Sequence, residues 1–361
     1  NLLFKPSERH HLIDSAIKVH YEMVEKSRKM PDITTHYTIR HLIRWMDRIR
    51  LGLREKWEED SAKLAFLEGE AVYGDSLSEE YREQVLKDRL VELLIGEFGK
   101  DYRADRNVAI ERGTDFMSFG GVFLSMESKE RQFFVSGSEL LNTDSTKTYL
   151  KKLAKAVKTN ERILLVGLTG GGKSDIVRYL SDLTNNNFIA LDLDGQSDVA
   201  QLIGQYVPVA GTDKYEWKDG NLIKAMENGC WILIDEINLA EPEIIERLNS
   251  LLDDDASLTV NEHKGEKWIP ADVYDELESQ GYDMSNLRKI DKSFRLFCAM
   301  NPEHYAGRTR LSVAMLNKFY QIWIPQEGTP QEETAITSYY MDSERAYLEL
   351  TDSGDNIAES I

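Results

Sequence analysis

Apolar residues recur at two different periods in the two halves of the chain. In the first hundred residues they fall three and four apart, as one face of an α-helix requires. Ile13, Ile17, Tyr21 and Val24 mark a helix over residues 7–27, with Ser7 placed to cap its start and Pro31 to stop it. Ile39, Leu42, Ile43 and Met46 form the next stripe. Arg40 and Arg44 lie one turn apart on a neighbouring face, which reads as a solvated basic edge. Helices over 64–72 and 81–98 follow, with Gly74 and Asp75 between them and Val85, Leu86, Leu90, Leu93, Leu94 and Phe98 expected in a core. From Asp101 the pattern weakens. Short strands are expected over 119–126 and 130–135, and the change of domain falls between about 100 and 145.

After a helix that starts at Thr146 and carries Leu150, Leu153 and Val157, the apolar residues stop alternating. Apolar runs at 163–166, 188–191, 231–234, 294–300 and 321–324 are separated by helical segments. Strands of that kind are buried on both faces, so the pattern predicts a five-stranded, mostly parallel sheet in an α/β domain. Ligands of such sheets bind at the C-terminal ends of the strands.

The first of those runs ends in Gly167–Ser174, GLTGGGKS, which fits G-x-x-x-x-G-K-[ST]. Glycines at 170, 171 and 172 let the backbone turn inward and aim N–H groups at phosphate oxygens, and the next helix presents its positive end to the same anion. Lys173 is expected to reach the β- and γ-phosphates of a nucleotide, and Ser174 to ligate Mg²⁺. The nucleotide-contacting candidates are Gly167, Thr169, Gly170, Gly171, Gly172, Lys173, Ser174 and Asp175. The third run ends in Asp235–Glu236. The sheet should carry Asp235 to the same Mg²⁺ and Glu236 to a water that it activates. The fourth run ends in Asn301, a neutral amide able to hold that water or the γ-phosphate without adding charge.

Together GLTGGGKS, WILIDEINLA, FRLFCAMNP and GRTRLS…LNKF resemble the AAA+ ATPases of the dynein-related group, first its midasin-like members and then the MoxR-type chaperones and McrB-type GTPases. The resemblance covers about residues 146–325. It implies ATP and Mg²⁺ as cofactors, Asp235 and Glu236 as the Walker B pair, and Asn301 as sensor 1. It also implies that TIRHLIRW belongs to a small lid-type helical domain in which Arg40 is the nucleotide-touching arginine, sensor 2. Such chains string modules together, each lid following its own large domain. Residues 1–110 then correspond to the lid of a preceding module, 111–145 to a linker with short strands, 146–330 to the P-loop large domain, and 331–361 to the beginning of this module's own lid or tail. Where the family commonly has Arg-Asn-Arg-Phe, this chain has Leu316-Asn317-Lys318-Phe319, so Lys318 stands at the place of the trans-acting arginine finger. Residues 266–292 form a polar, acidic insertion before sensor 1, a candidate partner-binding element.

Composition narrows the partners. A net charge of −19 opposes a strong nonspecific hold on nucleic acid. No apolar stretch reaches membrane-spanning length. The two cysteines, Cys230 and Cys298, belong in or beside apolar strands, which points to an intracellular, cytoplasmic setting, or a nuclear one for a eukaryotic midasin-like chain. The seven histidines show no metal-ligand spacing. The reading that results is an ATP-hydrolysing motor module, partnered by neighbouring AAA+ modules in a ring and acting on a protein or ribonucleoprotein assembly. One rival is a GTP-using, McrB-like motor tied to nucleic acid, disfavoured by Met-Asn-Pro and the acidic charge. Another is a scaffold module that holds ATP without turnover, disfavoured by Glu236 and favoured by Lys318.

Overall fold

A computed structural model describes residues 6–30, 36–78, 80–103, 108–128, 143–193, 199–253, 255–302, 310–325, 329–334 and 336–338. The strand expected over 130–135 and most of the 331–361 tail lie outside them. The chain opens with helices α1 (Pro6–Arg28), α2 (Ile39–Arg54), α3 (Ser61–Gly74) and α4 (Tyr81–Phe98). α1 is already under way at Pro6, so Ser7 lies inside it and not at its cap. Asp60 caps α3 by accepting the Ala62 and Lys63 N–H groups, and Gly99, at φ +93°, ends α4.

The helices exist where the periodicity puts them, but two faces are turned. α1 buries Leu12, Ala16, Val19 and Met23 and leaves Ile17 and Tyr21 exposed. α2 buries His41, Trp45, Arg48, Ile49 and Gly52 and leaves Ile39 and Ile43 exposed. In α4, Leu86, Leu90, Leu94 and Phe98 are buried as expected, while Val85 is exposed.

A small antiparallel sheet follows, β1 (Ile110–Arg112), β2 (Phe116–Phe119) and β3 (Val122–Ser125). The single strand expected over 119–126 is therefore split. Gly120 and Gly121, at φ +57° and +86°, supply the two left-handed positions of a tight hairpin turn. Next comes α5 (Asp144–Lys158), whose start is capped by Thr143, two residues earlier than the apolar pattern suggests.

The α/β domain then runs β4 (Ile163–Val166), α6 (Lys173–Leu183), β5 (Phe188–Asp192), α7 (Val199–Leu202), a hairpin of β6 (Gly204–Pro208) and β7 (Tyr215–Asp219), α8 (Asn221–Asn228), β8 (Trp231–Asp235) and α9 (Pro242–Leu251). The 256–292 region forms its own sheet of β9 (Leu258–Val260), β10 (Glu266–Pro270) and β11 (Leu287–Ile290), with α10 (Ala271–Ser279) crossing from β10 to β11. β12 (Arg295–Met300), α11 (Val313–Leu316) and β13 (Tyr320–Trp323) complete the order. The main sheet is five-stranded, ordered β13-β4-β12-β8-β5, and every pairing in it is parallel. Its strands feed two cores. Ile163, Leu165, Leu233 and Phe297 face α5, α6 and the N-terminal helices. Leu164, Ile232, Ile234 and Cys298 face α8 and α9. That double burial is why the runs do not alternate. Cys230 and Cys298 are buried free thiols, and burial pushes the Cys230 thiol up to about 11.

The helical domain packs against the β13 side of the sheet through buried charge. Arg48 reaches Glu68 on α3 at 3.2 Å and Glu161, just before β4, at 3.0 and 2.5 Å, and its guanidinium stacks 4.0 Å from the centre of the Tyr320 ring. Lys155 on α5 is the second partner of Glu68. Burial pushes the Glu68 carboxyl up, but Lys155 and Arg48 outweigh it and hold it below the usual carboxylate range. Asp75 pairs with Lys152 at 2.7 Å, accepts the Tyr320 hydroxyl, and takes the Trp323 N–H on its carbonyl at 2.7 Å. The last of these bonds covers backbone on the outer edge of β13.

Candidate nucleotide site

The loop between β4 and α6 is shaped by its glycines. A side chain on Gly167 would meet the Ile324 carbonyl at 2.2 Å, because the loop leaves β4 pressed against the end of β13. Gly170 and Gly172 have φ of +84° and +74° with open space where a Cβ would stand, so the backbone is curled around a hollow. Gly172 is also the N-cap residue of α6, and it caps without a side chain. The first turn of α6 therefore borders the hollow with its positive end, the setting in which a helix start receives an anion.

The three strand ends converge on that loop. Lys173 is buried and its Nζ donates to the carbonyls of Gly167 and Leu168, both at 2.9 Å, and to Asn301 Oδ1 at 2.8 Å. Asn301, fully buried at the end of β12, donates its Nδ2 to Glu236 Oε1. Ser174 donates its hydroxyl to Asp235 Oδ2 at the end of β8. The other oxygen of Asp235 takes the Glu236 N–H at 2.8 Å. Glu236 itself adopts φ +52°, the left-handed region that a branched or bulky residue seldom enters. Its position is the turn from β8 into a 3₁₀ turn over 237–239. Thr169 is exposed on the loop, and Asp175 pairs with Arg178 at 3.6 Å within α6.

A triphosphate with Mg²⁺ fits these residues. The glycine loop brings the start of α6 and the Lys173 ammonium together. The Ser174–Asp235 pair offers two hard oxygen donors at the helix start, the ligand type Mg²⁺ prefers.

Lys318 and Arg40 do not join this constellation. Lys318 precedes β13, whose first residue pairs with Ile163 at the N-terminal end of β4, the end opposite the glycine loop. Its Nζ pairs with Asp253 at 2.6 Å and donates to the Asn249 side-chain and backbone oxygens at 2.7 and 3.1 Å. Arg40 lies at 4.0 Å from the same Asp253 oxygen. Arg44, read from sequence as a solvated edge, is instead largely buried, pairs with Glu161 at 3.5 Å and donates to the Lys318 carbonyl at 3.5 Å.

One residue the sequence reading passes over belongs here. Asn238, two residues after Glu236 and 1% exposed, donates to the backbone carbonyl of Asn301 at 2.9 Å, while its Oδ1 is buried without a partner among the described residues. The available signal is its place inside the strand-end motif, where an amide follows the acid pair.

A parallel sheet ordered β13-β4-β12-β8-β5, with a glycine loop after β4, an acid pair after β8 and an amide after β12, is a P-loop nucleotide-binding domain of the AAA+ class. The chain matches, over residues 162–319, the family described as AAA domain (dynein-related subfamily). It is 30% identical over 189 residues to midasin of Dictyostelium discoideum and 29% identical over 195 residues to midasin of Giardia intestinalis, matches that take in 52% and 54% of this chain. They cover only 3% and 4% of those much longer proteins. An uncharacterised protein of Staphylococcus aureus (strain USA300) is 30% identical over 187 residues, 51% of this chain and 62% of that one. A solved ATPase candidate from Cytophaga hutchinsonii aligns at 19% identity over 53% of this chain and 50% of its own, with a TM-score of 0.39. Among the described residues no helix is long and apolar enough to cross a membrane.

Proposed function

We propose that the 146–330 domain binds ATP with Mg²⁺ and hydrolyses it, as one motor module of a midasin-like assembly that remodels protein or ribonucleoprotein particles. The observation that carries this reading is the hydrogen-bonded line Lys173–Asn301–Glu236 lying beside the Ser174–Asp235 pair at a hollow glycine loop. Lys173 would exchange its loop carbonyls for the β- and γ-phosphate oxygens. Ser174 and Asp235 would hold Mg²⁺, which when bound neutralises the charge that develops on the transferring phosphoryl group. Glu236 would accept the proton of the attacking water. Asn301, released from Lys173, would orient that water and keep the Glu236 carboxylate turned toward it.

In the same reading the helical domain is the lid of a preceding module. Two observations support it. Arg40 and Lys318 sit together on Asp253, at the sheet end away from this chain's own glycine loop. The outer faces of α1 and α2 present Ile17, Tyr21, Ile39 and Ile43 to solvent, an apolar surface suited to a neighbouring large domain. Arg40 and Lys318 would then serve the neighbour's nucleotide, with Lys318 as a point charge in place of a bidentate arginine.

Titrating fluorescent ATP into the parent protein and Lys173→Ala tests the binding half of the proposal. The parent should bind in a Mg²⁺-dependent manner and Lys173→Ala should lose on the order of a hundredfold in affinity, about 2.7 kcal/mol. Equal affinity in the two proteins would remove the glycine loop as the site.

A further inference from the structure

At the N-terminal ends of β4 and β12, on the opposite side of the sheet from the glycine loop, lies a cavity of about 320 Å³. Two arginines line it. Arg162 immediately precedes β4, and Arg295 opens β12, the strand paired with β4. Across from them stands the segment where β10 turns into α10 at Pro270 and Ala271. Leu251, Ile290 and Phe294 supply an apolar wall.

Arg162 is engaged by the fold, its Nη2 donating to the Asp253 carbonyl at 3.1 Å. Arg295 is held by carbonyls: Nε donates to Val157 at 3.2 Å, and Nη1 to Lys292 and Phe294, both at 2.7 Å. Among the described residues no carboxylate stands within ion-pair distance of it. Burial first, and then repulsion from Arg162, holds the Arg295 guanidinium below its ordinary pKa, with Asp291 opposing the shift. The acids at the cavity are engaged elsewhere or open to water. Glu161 is bound by Arg48 and Arg44, Asp291 takes the Ser293 N–H at 2.7 Å, and Asp272 is exposed. α10 starts on Pro270 with no side-chain cap, so its positive end also borders the cavity without a side-chain acceptor.

We propose that this cavity is a binding site for a small organic anion, a carboxylate or phosphate monoester on an apolar body. The anionic head would lie between Arg162, Arg295 and the start of α10, and the body against Leu251, Ile290 and Phe294. The volume is at the lower end of the range of small-molecule pockets, roughly 300–1,000 Å³. A bound anion would relieve the repulsion that Arg162 exerts on Arg295 at little cost, since the Arg295 guanidinium is already desolvated and held by carbonyls of the fold.

Benzoate and phenyl phosphate share one apolar body and differ in the head, so titrating each by NMR identifies the preferred head as well as the site. Binding should be saturable for at least one of them, on the order of tenfold weaker in Arg295→Met and several-fold weaker in Lys292→Glu. Lys292 lines the cavity with a side chain 71% exposed, so its reversal tests the charge without touching the core even if Arg295→Met fails to fold. Lys173→Ala should bind the probe as the parent does. The proposal is overturned if neither probe saturates up to roughly 10 mM. It is equally overturned if binding is indifferent to Lys292→Glu and lost in Lys173→Ala, which would assign the anion to the glycine loop.

Discussion

Glu236 holds a left-handed backbone conformation at the end of β8, and this carries a cost of order 1–3 kcal/mol that the surrounding bonds must offset. The Asp235 carboxylate does so by taking the Glu236 N–H, and Asn301 by donating to its side chain. Asn301 is in turn held from behind by Asn238. In the proposed mechanism Asn238 is therefore a positioning residue, one step removed from the reacting atoms. Asn238→Ala should lower kcat about tenfold, some 1.4 kcal/mol, while leaving KM for ATP nearly unchanged, because the phosphate loop is untouched. Steady-state kinetics over a range of ATP concentrations checks this, and a rise in KM at constant kcat would contradict it. Lys173, Ser174, Asp235, Glu236 and Asn301 were readable in the sequence because strand ends and a fixed loop spacing announce them. Asn238 was not, because its partner is a backbone carbonyl 63 residues away, which no spacing encodes.

At the scale of elements, the periodicity located the helices but misjudged which side of α1 and α2 is inside. The reason lies in polar residues that the fold buries with partners. His41 accepts the Thr38 N–H at 3.1 Å and packs edge-on against Tyr37, and Arg48 is claimed by Glu68 and Glu161. These contacts turn α2 so that Trp45 and Ile49 go in while Ile39 and Ile43 stay out. Burial first, and then the nearby Arg44, lowers the His41 pKa from 6.5 to about 3, so the fold holds the ring neutral. His20, hydrogen-bonded to Tyr73 at 2.8 Å, is lowered by burial as well. The unfolded chain then binds more protons below about pH 6.5, and stability that is complete above that value is lost as pH falls toward 3. His41→Gln should flatten the fall in denaturation midpoint between pH 6.5 and 4, a window set by the same pKa change. An unchanged slope would mean that His41 protonates in the folded state without penalty. The glycine pair at 120–121 teaches a simpler lesson: two adjacent glycines inside an apolar run are a hairpin turn, not a strand interior.

For the whole molecule, the parallel α/β sheet followed from apolar runs, whereas the way the helical domain meets it did not. That contact depends on charges far apart in sequence, Arg48 with Glu161 and Asp75 with Lys152 and Tyr320. Arg48→Met would leave Glu161 and Glu68 facing each other's charge with one cation fewer, and removing one member of a buried charge network costs about 3–5 kcal/mol. The urea midpoint should fall accordingly, and a midpoint equal to the parent's would show the network to be energetically idle. In the proposed reading the same architecture separates two functions: the glycine loop with Glu236 and Asn301 would serve this domain's own nucleotide, while Arg40 and Lys318, gathered on Asp253, would serve another's. The central claim, that this loop and the Glu236 carboxylate form a working hydrolytic site, is tested most directly by single-turnover cleavage of radiolabelled ATP with protein in excess. The parent should convert bound ATP to ADP, and Glu236→Gln should retain the bound ATP and cleave it at least about a hundredfold more slowly. Cleavage by Glu236→Gln at the parent's rate would contradict the account.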